Sequence, residues 1–349
     1  MSPRTASPTT GTTAAPSGSA AISTRCARRW TRASTCAAST TGRRWTTSSG
    51  PRATRCASGC TRSTSTRRSG GCGTARGRSS RPSAGAARRR WPRTASEAAV
   101  ARSDIGDAAA IVLAAGKGTR MQSSLPKPLV PLAGRGLTLR LMDALGKAGV
   151  GRRVAVVGHG AEQVRAALPD DVRTPLQAVR DGTASAVACG QAAAGDGRHV
   201  FVLVGDSPLL TAGSLRALFD HHVATGAACS FLTASFPVSY PYARVIRDAQ
   251  GGVLGCVEER DCTPEQAAIR ELLTSHYLFD AAALWAALPR VPRHPTTGER
   301  YLTDVIALIR AAGGRVEALS IPDWRELVGL NTPEDVAWAE GVLAEGGLA

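Results

Sequence analysis

From about residue 108 onward, short apolar runs alternate with stretches whose apolar positions recur every three to four residues. Residues 109–115 form an unbroken apolar run that stops at Gly116. A run of that length bounded by glycine predicts a strand buried on both faces. Runs of the same kind at 153–157 and 199–204, closing at Gly158 and Gly205, predict two more. Between them, 137–148 puts Leu139, Leu141, Met142 and Leu145 on one side of a helix, and 161–168, 183–194 and 214–223 also read as helical. Residues 173–177 read as extended. This β-α-β-α order predicts an α/β fold with a doubly wound, mostly parallel sheet. The second half changes character. Short strands at 228–235, 243–247 and 253–258, separated by turns such as Gln250-Gly251-Gly252, and a further strand at 271–279 predict a small mixed lobe beside the parallel sheet. A helix at 303–312, a strand at 315–321 and a helix at 333–343, with Thr332 as its N-cap, complete one large domain spanning 107–349.

Positions 1–100 break the pattern. Residues 1–99 contain no Leu, Val, Phe or Tyr from which a core could be built. Residues 1–100 carry 19 Arg, no Lys and a single acid, Glu97, a net charge of +18. The chain as a whole has 43 bases and 27 acids, so the remainder holds 24 bases against 26 acids and the basic balance belongs to the first hundred residues. Such a segment is expected to be disordered. Apart from Met1, Ile22 and Glu97, every residue in 1–99 has a codon with C or G in the middle position. A GC-rich gene read out of frame gives that bias, so the segment is expected to be mis-framed or to lie upstream of a start at Val100. Nucleic-acid binding would rest on Arg clusters such as Arg88-Arg89-Arg90 alone. No window approaches 18 consecutive apolar residues, and the N-terminal stretch lacks the apolar centre of a secretory signal. Cys189, Cys229, Cys256 and Cys262 show no metal-site spacing and are expected to be free thiols in a reducing cytoplasm.

The chemistry concentrates after the first strand, in Leu113-Ala114-Ala115-Gly116-Lys117-Gly118-Thr119-Arg120-Met121 followed by Leu125-Pro126-Lys127. Ligands of open α/β sheets sit beyond the carboxyl ends of such strands. Gly116 and Gly118 allow backbone N–H groups to turn toward an anion, and Arg120 and Lys127 add full positive charge, so the ligand expected there is a polyphosphate. The dinucleotide loop G-x-G-x-x-G fails at Met121, and no G-K-[ST] is present at the spacing a Walker loop requires. Asp206, in Gly205-Asp206-Ser207-Pro208-Leu209, closes another buried strand and is a candidate magnesium ligand, because Mg²⁺ needs few protein oxygens when substrate phosphates complete its shell.

The string L-A-A-G-x-G-T-R-M with L-P-K resembles the signature of the sugar-phosphate nucleotidyltransferases, in particular the uridylyltransferase domain of the bifunctional N-acetylglucosamine-1-phosphate uridylyltransferase/glucosamine-1-phosphate acetyltransferases. The resemblance runs from about Ala109 to about Leu343. It implies a Rossmann-like sheet of the nucleotide-diphospho-sugar transferase type with a small mixed β sugar-binding lobe. It implies transfer from UTP to a sugar-1-phosphate, most simply N-acetylglucosamine-1-phosphate, with Mg²⁺ as cofactor. Residue by residue, it makes Arg120 and Lys127 catalytic. Leu113, Ala114, Ala115, Gly116 and Gly118 would bind nucleotide, as would Gln177 with Gly182 and Thr183, which match the uracil-reading Q-x4-G-T. Asp206 and Asn331 would hold the magnesium. Ala243 in Tyr242-Ala243-Arg244-Val245, Glu258 in Val257-Glu258-Glu259-Arg260-Asp261, and Thr274 would touch the sugar. Gly298-Glu299-Arg300-Tyr301-Leu302-Thr303-Asp304 matches a further family string.

The departures lie at the sugar end. The family's N-T-G is Leu273-Thr274-Ser275 here, the glycine of Y-G-R is Ala243, and the aromatic residue before G-D is Val204. Losing the Asn removes a hydrogen bond through which a site discriminates among sugars. The chain ends at Ala349 without the family's left-handed β-helix, so acetyl transfer is expected to be absent. Cytidylyl or guanylyl transfer on the same fold, and nucleotide sensing without turnover, are the rival readings.

Overall fold

The computed structural model describes residues 104–346 and 348. The expectations for residues 1–100 lie outside the described residues.

The elements run β1 (Ala109–Ala114), a hairpin of β2 (Pro131–Leu132) and β3 (Arg135–Gly136), α1 (Leu137–Ala148), β4 (Arg152–Val157), α2 (Ala161–Ala167), α3 (Thr183–Ala194), β5 (His199–Val204), α4 (Ala212–Thr225) and β6 (Cys229–Ser235). They continue as β7 (Ala243–Arg247), β8 (Val253–Val257), α5 (Pro264–Ala267), β9 (Glu271–Asp280), α6 (Ala281–Ala287), α7 (Asp304–Ala311), β10 (Val316–Ser320) and α8 (Pro333–Ala344). The main sheet has the order β10-β6-β9-β5-β1-β4. β1 pairs parallel with β4 and β5, and β10 parallel with β6. β9 is antiparallel to both β5 and β6, so it alone on this path runs against the others.

Alternation along β1 sends side chains to two cores. Ala108, Ala110 and Val112 join one, packed under α1, α4 and α8, while Ala109 and Ile111 join the other, under α3, α6 and α7. Leu141, Met142 and Leu145 of α1 are completely buried, as the spacing requires, each stabilising the fold by about 1.5–3 kcal/mol relative to exposure. Caps fix the helix ends. Thr211 accepts from the Ser214 N–H to open α4, and Thr332 with Asp335 forms a capping box that opens α8.

Three differences from the sequence expectation have physical causes. β6, β9 and β10 continue the central sheet, so only the β7–β8 hairpin, attached through β9, departs from it. Residues 173–177 bond along the edge of β4 away from β1 but appear as isolated bridges, Val154 to Arg173 and Val157 to Leu176, because Pro175 between them has no N–H. Helix α6 follows β9 without a break. Asp280 is both the last residue of the strand and the N-cap, its carboxylate accepting from the Ala283 N–H.

β4 lies on one side of β1 and β5 on the other, so the strand order reverses at β1. In open α/β sheets this reversal opens a crevice beyond the carboxyl ends of the strands, here Ala114, Val157 and Val204.

Candidate functional site

A cavity of about 320 Å³ opens at that crevice. Nine residues singled out in the sequence line it: Leu113, Ala114, Ala115, Gly116, Lys127, Gln177, Gly182, Thr183 and Asp206. The loop after β1 reaches it through Gly118, whose φ of +63° is open to glycine at little cost. A Cβ at that position would lie 2.5 Å from Lys127 Cβ, so the glycine also makes room for the lysine. Gly116 has nothing within 4 Å of where its Cβ would be, leaving the loop open for a ligand to approach.

Lys127, on the single helical turn Lys127–Leu129, donates to Asp206 Oδ2 at 2.5 Å and to Asn331 Oδ1 at 2.9 Å. Arg120 Nη2 donates to the same Asn331 Oδ1 at 3.0 Å. Two cations and two acceptor oxygens, brought from three separate stretches of chain, thus meet at one point. Asn331 Nδ2 donates to the Gly329 carbonyl at 3.0 Å, which turns Oδ1 toward the cations. The Leu330 N–H donates to the Asp206 carbonyl at 2.8 Å and sets the two donor residues side by side. Among the described residues no cluster of three or more His, Cys, Asp or Glu could hold a metal by itself. The carboxylate of Asp206 and the amide oxygen of Asn331 do fit magnesium. Both are hard oxygens, and both already point at one positive charge, the Lys127 ammonium.

The other end of the cavity is knitted from distant loops. Gln177 is buried, and its Nε2 donates to the Gly182 carbonyl at 3.2 Å. Gly182 has φ of +120°, and its missing Cβ would lie 2.3 Å from the Arg300 carbonyl oxygen. Across this contact the Arg300 N–H donates to the Asp181 carbonyl at 2.8 Å, and the Ala184 N–H to the Arg300 carbonyl at 3.1 Å. The Leu302 N–H donates to Thr183 Oγ1 at 2.9 Å. These bonds bring Glu299 and Tyr301 into the cavity wall. Thr138 and Arg180 line it as well. Thr138 Oγ1 donates to the Gly205 carbonyl at 2.8 Å, pinning the turn that carries Asp206. Glu299 and Tyr301 lie in a family-like string, whereas nothing in the local sequence marks Thr138 or Arg180 as part of a site.

The three expected sugar contacts are not among the cavity-lining residues. Ala243 is buried in the β7–β9 ladder opposite Leu273. Thr274 Oγ1 lies 2.7 Å from His276 Nδ1, both residues buried. Glu258 Oε1 accepts from the Thr303 hydroxyl at 2.5 Å, two residues beyond Tyr301. Ser275 stands where the family has glycine and adopts φ of +65°, an uncommon conformation for a side-chain-bearing residue. Burial holds the His276 imidazole down at about 4, against the opposing pull of Asp206, so it is neutral at pH 7.

Residues 110–314 match the MobA-like NTP transferase domain. The chain belongs to that family. Its relatives include the bifunctional protein GlmU of Heliobacterium modesticaldum, 42% identical over 237 residues, which are 68% of this chain and 52% of that protein. GlmU of Streptomyces coelicolor is 44% identical over 248 residues, 69% of this chain and 51% of that protein. GlmU of Kineococcus radiotolerans is 46% identical over 235 residues, 66% and 48% respectively. The chain therefore spans about half the length of the curated relatives it matches. The matched region contains the β1 loop, the Gln177–Thr183 segment and Asp206, while Asn331 lies beyond it.

Proposed function

We propose that the chain is a sugar-1-phosphate uridylyltransferase, joining UTP and a sugar-1-phosphate to give a UDP-sugar and pyrophosphate. The observation that carries this is the meeting of Lys127, Arg120, Asp206 and Asn331 beside a cavity with Gln177 in its wall. Membership of the NTP transferase family and the likeness to proteins named GlmU support the same reading.

In this reaction an oxygen of the sugar phosphate forms a bond to the α-phosphorus of UTP. The bond from that phosphorus to the bridging oxygen breaks, and pyrophosphate leaves with the electron pair. The attacking dianion is already nucleophilic, so no residue has to remove a proton. What the protein supplies is position and charge. Lys127, in the cavity wall, and Arg120, beside it on Asn331, are held by oxygens that phosphate can replace, so they can turn to the triphosphate and to the charge developing on pyrophosphate. The Gln177 amide is suited to pair with the carbonyl and N–H of uracil, with Gly182 permitting close approach of the base. Asp206 and Asn331 would hold magnesium, which when bound supplies Lewis-acid charge and a template for the phosphates.

N-acetylglucosamine-1-phosphate is the first sugar to test, although Leu273 puts an apolar, buried side chain where the resemblance calls for a sugar-binding amide. The experiment uses the full chain with Mg²⁺, pyrophosphatase, the four nucleoside triphosphates and several sugar-1-phosphates, reading phosphate release. Turnover with UTP and one sugar is expected. Turnover only with another nucleotide overturns the uridylyl assignment, and UTP binding without turnover on any sugar favours a sensor.

A further inference from the structure

The proposed metal-holding oxygen of Asn331 lies in a loop without repeating secondary structure, and a residue far from it in sequence fixes that loop. The Gly329 N–H donates to the phenol oxygen of Tyr242 at 2.9 Å. The peptide on the other side of Gly329 is pinned separately, its Leu330 N–H bonding the Asp206 carbonyl. The Gly329 carbonyl then accepts from Asn331 Nδ2, which leaves Oδ1 facing Lys127 and Arg120. Each link is a directional bond to the next, so rotation at Gly329 would swing the amide of Asn331 away.

Tyr242 is itself held firmly. Arg244 is fully buried and, among the described residues, forms no ion pair with a carboxylate. Its guanidinium instead donates to the Tyr240 carbonyl at 2.9 Å, to the Tyr242 carbonyl, and to Ser239 Oγ at 3.1 Å. The rings of Tyr240 and Tyr242 stack with an interplanar angle of 2°, and Phe236 and Trp324 pack on them. Trp324 opens the short turn Trp324–Leu327 that leads into the Asn331 loop, and it stacks on Trp338 of α8 beyond it. A buried cation spent on the carbonyls of one turn thus aims a single hydroxyl at the loop between these two tryptophans.

We propose that Tyr242 is a positioning residue that acts through Gly329 to present Asn331 Oδ1 to the cations of the site, including the divalent ion of the working enzyme. This rests on the reading of Asp206 and Asn331 as that ion's ligands.

Tyr242→Phe in the full chain removes the hydroxyl and keeps the ring. Mn²⁺ binding to the protein–UTP complex, followed by electron paramagnetic resonance without any sugar phosphate, is expected to weaken about 10–100-fold, the usual loss when a partner of a ligand is removed. Metal-free UTP affinity should change by far less than that, because the Gln177–Gly182 end of the cavity does not pass through Gly329 and Lys127 keeps its bond to Asp206. Trp338→Phe is the comparison. It loosens the aromatic cluster and should lower the melting temperature while leaving Mn²⁺ affinity unchanged. If Tyr242→Phe does not fold, the wild-type chain still gives a test by amide hydrogen exchange. The Gly329 amide should be protected like a sheet amide, and exchange at the rate of an exposed loop overturns the proposal. A wild-type Mn²⁺–UTP complex unchanged by Tyr242→Phe overturns it alone. Absence of any such complex in the wild type overturns the metal reading along with it.

Discussion

Replacing Gly182 by Ala puts a methyl group where the fold leaves none of the needed space. Gly182 has φ of 120° and ψ of 173°, a region essentially reserved for glycine. Forcing Ala there costs about 1–3 kcal/mol in backbone strain. The new Cβ would also lie 2.3 Å from the Arg300 oxygen and 2.5 Å from its nitrogen, closer than real carbon atoms approach. The Arg300 backbone must recede, stretching its bonds to Asp181 and Ala184, each contributing about 0.5–1.5 kcal/mol. Together these give about 4 kcal/mol. A domain of this size loses about 2–4 °C per kcal/mol, so the melting temperature should fall by about 8–16 °C. The same shift moves Tyr301 and the carbonyl that receives Gln177 Nε2, so UTP affinity should fall with stability. Differential scanning fluorimetry with and without UTP measures both. A variant that melts within about 2 °C of wild type and binds UTP normally would refute the claim that the 181–184 and 299–302 segments close the cavity together.

Two further outcomes follow from the site and the core. Lys127→Ala should lower turnover about 10²–10³-fold with the fold retained by circular dichroism, and near-normal pyrophosphate release would remove Lys127 from the mechanism. His222 is buried against Ser230, and burial holds its imidazole at about 3 rather than 6.5. The unfolded chain takes up the proton first, so this contribution to stability is intact above pH 6.5 and is lost progressively as pH falls toward 3. At pH 5 the loss from this one group is about 2 kcal/mol. Urea midpoints at pH 7.5 and 5 should differ accordingly, and less so in His222→Phe; equal pH dependence in the two proteins would contradict the reading.

The local elements were legible because their signals are local. Helices 137–148 and 183–194 and strands 199–204 and 243–247 begin and end where periodicity, glycine and apolar runs say they should. The place of β9 was not legible, because side-chain alternation sets which faces are buried and not which strand lies alongside. At the site, the glycine loop and Asp206 carried their own physical argument. Asn331 did not. It meets Lys127 across 204 positions of sequence, and only the family likeness drew it out. Arg180 and Thr138 were missed since each is typical of its local setting, and only the folded crevice distinguishes them. The expected sugar contacts were transferred by motif alone. Glu258 is joined to the cavity wall indirectly, through Thr303, while Ala243 and Thr274 sit in the β7–β9 region.

The reversed strand has a consequence for how the chain becomes a protein. β6 is made before both of its sheet neighbours, β9 and β10, and β5 also waits for β9 on one edge. During synthesis the chain therefore skips a strand position and returns to fill it. Until Glu271–Asp280 leaves the ribosome, Cys229–Ser235 has two open edges and His199–Val204 has one, all in strands that the finished fold buries. Open apolar edges recruit other chains, and pairing across a long loop is slow. The vulnerable interval is thus the synthesis of 236–270, which includes the β7–β8 hairpin. Any nascent fragment ending in that stretch is the form most in need of a chaperone, and any attempt to divide the protein into two pieces must keep β9 with the half that precedes it.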